Sequence, residues 1–247
     1  MADLQEWWTT RLSPETRERI RPYAAAVIRR LPGRRPRWGN LKRAEPFSKH
    51  YGFDRGHPVD RRYIERFLER HGAQIRGDVL EVRSADYTRR YGAADAHSHV
   101  LDIDASNPAA TVIGDLCETN TLPQAAYDCA ILTQTLQFLA TPDTALVNLW
   151  GSLRPGGTML ITVPCAARID HEAPDCDYWR WTPAGLRCLI ERHCTAATVE
   201  IEWGGNLTAA LAALLGLASE DLRDEDLAHD DPVFPLIACA AVTRMSG

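Results

Sequence analysis

The sequence predicts an α/β fold: a seven-stranded, mostly parallel sheet with helices on both faces, preceded by an N-terminal helical cap. Two observations carry this reading. From Gly77 onward, short apolar runs of strand length alternate with helical segments, the pattern of parallel strands joined by crossover helices. Before Gly77 the chain shows helical periodicity and a stretch rich in Pro, Gly and Arg, with no such alternation. The expected division is a basic helical cap over 1–76 and the α/β domain over 77–247.

Each element has its own signal. Ser13-Pro14-Glu15-Thr16 opens a helix, with Pro at the first helical position. Ile20, Tyr23, Val27 and Leu31 follow at helical spacing, and Pro32-Gly33 ends it. Residues 31–53 read as loop. A second helix starts near Pro58-Val59-Asp60 and runs through Tyr63, Ile64, Phe67 and Leu68 to His71-Gly72. Strands are expected at 78–82, 99–103, 111–114, 127–132, 158–163, 198–203 and 235–242. Helices are expected at about 143–153, near 183–192, and from Asn206 along an Ala/Leu run to Leu217.

Composition narrows the function classes. No apolar run reaches membrane-spanning length, and Met1 to Trp8 lack the basic start and apolar core of a signal peptide, so a cytoplasmic location is expected. Seven cysteines without a CxxC pair argue against both a disulfide framework and a structural zinc site. Residues 1–77 hold 18 Lys+Arg against 9 Asp+Glu, net +9, whereas the remainder is net −14. Such a basic segment could attract an anionic substrate or dock on the acidic body. The arginines form no single stripe, so nucleic acid is not an expected partner. The apolar run at 206–217 could support a homodimer or pack into the sheet.

In open α/β sheets, ligands bind beyond the carboxyl ends of the strands, where strand order reverses. That selects the loops after strands one, two and four. A nucleoside cofactor there needs an acid after strand two for its ribose hydroxyls. Asp104 stands at that position, with Asp102 one alternation earlier. An N-cap role for Asp104 is the competing reading. Asp115-Leu116, beyond strand three, could bond and cover an adenine. Thr133 and Gln134 follow strand four, where substrate and cofactor would meet.

Val79-Leu80-Glu81-Val82, Leu101-Asp102-Ile103-Asp104, Gly114-Asp115-Leu116, Tyr127 to Leu132 and Leu153-Arg154-Pro155-Gly156-Gly157-Thr158 occur in an order that resembles the class I, Rossmann-like, S-adenosylmethionine-dependent methyltransferases. Gly52 to Glu65, Tyr87 to Gly92, Thr133-Gln134-Thr135-Leu136-Gln137 and Asp177 to Thr182 are similar to a narrower bacterial group found beside glycosyltransferases and in natural-product gene clusters. The resemblance implies methyl transfer from S-adenosylmethionine to a sugar or specialised metabolite, a small-molecule acceptor.

The first loop departs from the pattern. The class reads Glu-x-Gly-x-Gly-x-Gly after strand one, because the backbone passes close to the methionine moiety. This chain reads Glu81-Val82-Arg83-Ser84-Ala85-Asp86-Tyr87. Either the loop takes another path, with Glu81 or Asp86 on the amino group and Arg83 on the carboxylate beside Ser84 and Tyr87, or cofactor binding is weakened and the scaffold serves other chemistry. The alternatives are a cyclase or isomerase on the same fold, or a non-catalytic partner module.

A hydroxyl acceptor would gain from a general base. The candidates are His171 and Asp177 after strand five, and His57 with His50 in the N-terminal segment. Tyr63, Tyr178 and Trp179 could line an acceptor pocket, and Arg55, Arg61 and Arg180 could hold an anionic group. Ion pairs with Asp54, Asp60 and Asp177 are the alternative for these arginines. His171-Glu172 with Asp175 and Asp177 lacks a strict ligand spacing, and no metal is expected.

Overall fold

A computed structural model describes residues 13–30 and 39–246. The chain separates into two compact units, Met1–Glu45 and Pro46–Gly247.

The described part of the first unit holds helix α1, Pro14–Arg30, and a short 3-10 turn at Gly39–Leu41. Ser13 starts α1: its hydroxyl accepts from Thr16 N–H at 3.3 Å, and its carbonyl accepts from Arg17 N–H at 2.9 Å. The expected stop at Pro32-Gly33 and the opening Trp-rich residues lie outside the described residues.

The second unit contains seven strands: β1 Asp78–Val82, β2 His97–Asp102, β3 Val112–Ile113, β4 Tyr127–Thr133, β5 Leu153–Pro164, β6 Ala197–Gly204 and β7 Ile237–Arg244. Its helices are α2 Val59–Arg70, α3 Asp86–Tyr91, α4 Pro142–Ser152, α5 Pro183–His193, α6 Leu207–Leu214 and α7 Asp224–Leu227. The strand order is β3-β2-β1-β4-β5-β7-β6. Neighbours from β3 to β5 are parallel, and β7 runs antiparallel between β5 and β6. The expected seven-stranded, mostly parallel sheet is the observed one.

The strands sort their side chains by alternation. Leu80, Ala130, Leu132, Met159 and Ile161 face the core under α4 and α5. Val79, Cys129, Ile131 and Leu160 face the opposite core under α2 and α6. Both faces are therefore buried, which is why the strands read as continuous apolar runs. The helix starts follow local chemistry: Thr182 Oγ1 accepts from Gly185 N–H at 3.0 Å for α5, and Asn206 Oδ1 accepts from Ala209 N–H at 3.0 Å for α6.

β5 begins five residues earlier than the sequence pattern suggested, because Arg154-Pro155-Gly156-Gly157 continues the strand through an irregularity in its pairing with β4. Gly156 takes φ +82°, and a Cβ on Gly157 would sit 2.9 Å from Arg154 O. Arg154 then ties the amino ends of two other strands, with bonds to Asp128 at 2.5 Å and Asp78 at 2.9 Å. α3, which sequence periodicity did not separate from its loop, spans only six residues. All seven cysteines are free. Among the described residues, no helix is long and apolar enough to cross a membrane.

Candidate active site

Strand order reverses between β1 and β4, so the loops leaving their carboxyl ends form the crevice. After β1 the chain turns at Arg83, whose φ of +69° is the left-handed conformation that glycine enters without steric cost. Arg83 N–H donates to Leu101 O and Ser84 N–H to Val82 O, both at 2.9 Å. Asn107 Nδ2, after β2, donates to Arg83 O at 2.9 Å and to Asp102 at 2.6 Å. The arginine therefore keeps the backbone course that a glycine would take.

Glu81 serves this loop from below. It is 2% exposed, and its carboxylate accepts from Tyr87 N–H at 3.0 Å and from Thr88 N–H at 2.8 Å. Burial pushes its pKa up, against the pull of those hydrogen bonds. Both oxygens are engaged with the amino end of α3, so Glu81 positions the loop and does not reach the crevice as a ligand-binding carboxylate. Asp86 is likewise bonded to the Ser84 hydroxyl at 2.9 Å and paired with Arg89.

After β2, Asp104 is exposed, and hydrogen bonds from Ser106 hold its carboxyl below the usual range. It is an ionised acceptor open to a ligand. Asp115, after β3, accepts from Cys117 N–H at 2.8 Å. Leu116 beside it is buried in the core, with its carbonyl held by Asn148 at 2.9 Å.

A cavity of about 200 Å³ lies at the carboxyl ends of β1, β4 and β5. Its apolar walls are Phe53, Val59, Phe138, Pro164, Ala166, Ala167, Ala213, Leu236 and Ile237. The polar lining is Tyr51, Asp60, Arg61, Arg83, Gln134, Gln137, Arg168, Asp170, Asp177 and Arg180. Gln134, just past β4, has φ +47° and donates its N–H to Thr162 O at 2.9 Å, which directs the chain across the cavity floor. Thr133, at the end of β4, accepts from the Thr135 hydroxyl at 3.0 Å.

Of the residues expected from sequence, the cavity gathers Arg61, Arg83, Gln134, Asp177 and Arg180. Arg61 donates to Tyr87 Oη at 2.5 Å, linking the cavity wall to the loop after β1. Arg180 grips Asp177 with two bonds of 2.6 and 2.8 Å and also donates to the carbonyls of Arg168 and Trp179. Asp177 in addition accepts from Asp170 N–H at 2.8 Å, and the Arg180 guanidinium holds its carboxyl below the usual range. An acid so engaged holds the loop in shape and is a poor proton acceptor.

The other expected residues stand elsewhere. Tyr63 is fully buried with its hydroxyl on Leu227 O at 3.1 Å, supporting the fold behind the cavity. Arg55 pairs with Asp221 through two bonds, at 2.9 and 2.7 Å, in place of Asp54. His57 lines a second, open groove, 3.3 Å from Glu65. His171 is exposed beside His50 and Glu172, with which it could share a metal ion, and its Nδ1 is 3.4 Å from Arg168. Tyr178 and Trp179 are half exposed, and both donate backbone N–H groups to Gln137 O, at 2.9 and 3.3 Å.

Sequence reasoning did not single out Tyr51, Phe138, Arg168 or Asp170, quoted Gln137 only within a motif, and took Asp60 as part of a helix start and as an ion-pair partner. Asp60 sits in the first turn of α2, crowded by protein yet reached from the cavity. Burial pushes its pKa up, opposed by Arg61 and backbone N–H groups. Tyr51 takes φ +58°, lies 3.8 Å beneath the Arg168 guanidinium and stands near Asp170. Burial and the Asp170 charge push its pKa up to about 12. The available sequence signals were Asp60, an acid in a helix first turn two residues after Pro58, and Gln137 at the end of the Thr133–Gln137 motif.

Residues 72–161 match the model of a family described as a methyltransferase domain. No curated protein matches the chain. Among solved structures, a SAM-dependent methyltransferase from Archaeoglobus fulgidus is similar, at 14% identity over 74% of this chain and 93% of its own, with a TM-score of 0.50. The (4+2)-cyclase SpnF has 15% identity over 75% and 82% of the two chains, with a TM-score of 0.49. A methyltransferase from Mesorhizobium loti has 14% identity over 69% and 93%, with a TM-score of 0.48. The chain therefore carries the Rossmann-like fold of the SAM-dependent methyltransferases, with a methyltransferase-domain match over 72–161.

Proposed function

We propose that this protein is an S-adenosylmethionine-dependent methyltransferase acting on a small polar or glycosylated metabolite in specialised metabolism. The observation that carries the reading is the cavity at the carboxyl ends of β1, β4 and β5, bordered by a loop that keeps its left-handed turn without a glycine.

The residues present fit the donor. Arg83 would hold its carboxylate, Asp104 its ribose hydroxyls, and Asp115 its adenine amino group, while Ser84 and Tyr87 flank the first loop. When bound, the donor supplies a methyl carbon that is already electrophilic. What remains for the protein is alignment, exclusion of water and proton removal. Gln134 lines the cavity where donor and acceptor would meet, and Thr133 precedes it at the end of β4. Phe53, Phe138 and Leu236 keep the cavity apolar on one side, which strengthens every polar contact on the other. Arg61, fixed by Tyr87, couples the order of the donor loop to the acceptor wall.

Calorimetry with S-adenosylmethionine and S-adenosylhomocysteine tests the reading directly. Binding of both is expected, and binding of neither overturns it. A second reading keeps the fold for a cyclase or isomerase, and the Arg83 side chain at the turn favours it. Product mass separates the two, since a gain of one methylene unit excludes the second.

A further inference from the structure

Helix α6 is apolar all round. From Trp203 to Ala218 the sequence carries no charged residue. Ala209, Ala210 and Ala212 are buried, and Ala209 and Ala212 belong to the core shared with α2. Small side chains on that face let the helix lie close to its neighbours. Leu207, Leu211 and Leu214 stand on the opposite side, at intervals of four and three residues, and are 41–48% exposed. A helix with an apolar inner face and a leucine outer face is built to be covered on both.

A turn at the amino end of α6 extends this patch. Asp231 N–H donates to Gly205 O and Leu236 N–H to Gly204 O, both at 2.8 Å, which seats residues 231–236 beside the start of the helix. Val233 and Phe234, within that turn, are exposed. The five side chains present roughly 500 Å² of apolar surface, so two copies face to face would bury about 1,000 Å², the least that a specific interface needs.

The charges around the patch indicate the partner. Asp224 pairs with Arg62 at 2.8 Å, Asp230 with Arg66 at 2.6 Å and Asp226 with Arg223 at 2.8 Å. With their charges matched inside the chain, these arginines do not form the basic rim that draws a helix onto an anionic lipid surface. A two-fold axis sets every group against its own kind, so a charged face repels its copy and a charge-free one does not. The leucine stripe also matches itself. With α6 antiparallel to its copy, Leu207 meets Leu214 of the second chain and Leu211 lies near the axis.

We infer that the outer face of α6, with Val233 and Phe234, is an isologous interface between two copies of this chain. The same helix carries Ala213 on the wall of the cavity, so association braces that wall from outside. The inference does not depend on methyl transfer.

Sedimentation of the full chain from about 1 to 100 μM should show the mass rising from one chain to two. Leu211→Glu should raise the dissociation constant roughly tenfold or more, because it sets two like charges near the axis. Val147→Glu, at an exposed apolar position of α4 outside the patch, should leave the association unchanged. Circular dichroism checks that each variant folds, and Leu211→Gln serves if the glutamate variant does not. A single-chain mass at every concentration overturns the inference, whether or not that monomer binds phosphatidylcholine vesicles. So does an association that Leu211→Glu leaves intact, or that Val147→Glu weakens equally.

Discussion

The Glu81 carboxylate receives two hydrogen bonds from Thr88, one from its backbone N–H at 2.8 Å and one from its hydroxyl at 2.7 Å, across the loop from β1 to α3. A third comes from Tyr87 N–H at 3.0 Å. Because Glu81 and Thr88 are both buried, water cannot replace the carboxylate when it is removed. Glu81→Ala should cost about 2–4 kcal/mol, read as a lower urea midpoint. Glu81→Gln should recover part of it, since one side-chain oxygen remains. Unchanged stability in Glu81→Ala would show that the loop holds its turn without this clamp.

The Arg180–Asp177 pair gives a pH prediction. The folded Asp177 carboxyl lies below its unfolded value, chiefly through Arg180. Stability from such a group is complete above the unfolded pKa of about 3.9 and is lost as pH falls through the folded value. Urea midpoints measured downward from about pH 6 should fall on the acid side, and the Asp177 share of that fall should be smaller in Arg180→Ala. That variant should also lose about 3 kcal/mol near neutrality, because Asp177 stays buried without its partner. A wild-type acid limb identical to that of Arg180→Ala would refute the assignment.

Arg83→Gly separates backbone from side chain at the donor loop. The left-handed turn at φ +69° costs a residue with a Cβ roughly 1 kcal/mol, and glycine's greater freedom in the unfolded chain offsets much of that gain. Thermal stability should therefore change by less than about 1 kcal/mol. Affinity for S-adenosylhomocysteine should fall roughly tenfold, if the guanidinium holds its carboxylate. Equal affinity in calorimetry would remove Arg83 from the donor site.

Tyr63→Phe should affect the fold and not the ligand. Its hydroxyl meets Leu227 O at 3.1 Å behind the cavity. Loss of that bond should cost about 1 kcal/mol in urea unfolding, with S-adenosylhomocysteine affinity unchanged. A large affinity change would mean that Tyr63 reaches the ligand.

The order of strands and helices was legible in the sequence, because apolar alternation and end signals are local. Asn206 opens its helix as read, the helix expected near 183–192 starts at Pro183, and β1, β4 and β7 lie where their apolar runs lie. α3 was hidden, since six residues give too little periodicity to separate a helix from a loop. The amino end of β5 was hidden because Pro-Gly-Gly signals a turn, and the pairing irregularity with β4 lets the strand continue through it.

The candidate site divides in the same way. The sequence by itself selected the loops after strands one, two and four and located the strand-end acids Asp104 and Asp115 from local pattern, whereas the cavity is lined from β1, β4 and β5. It also located the missing glycine, at Arg83. Only the tertiary structure decided where each polar side chain points. Glu81 turns to Thr88, Asp177 to Arg180 and Tyr63 to Leu227, while Asp60 and Gln137 meet at one cavity from segments far apart in the chain. The physical reason is that a polar residue's partner is set by which groups burial leaves unpaired, and burial is a property of the packed fold.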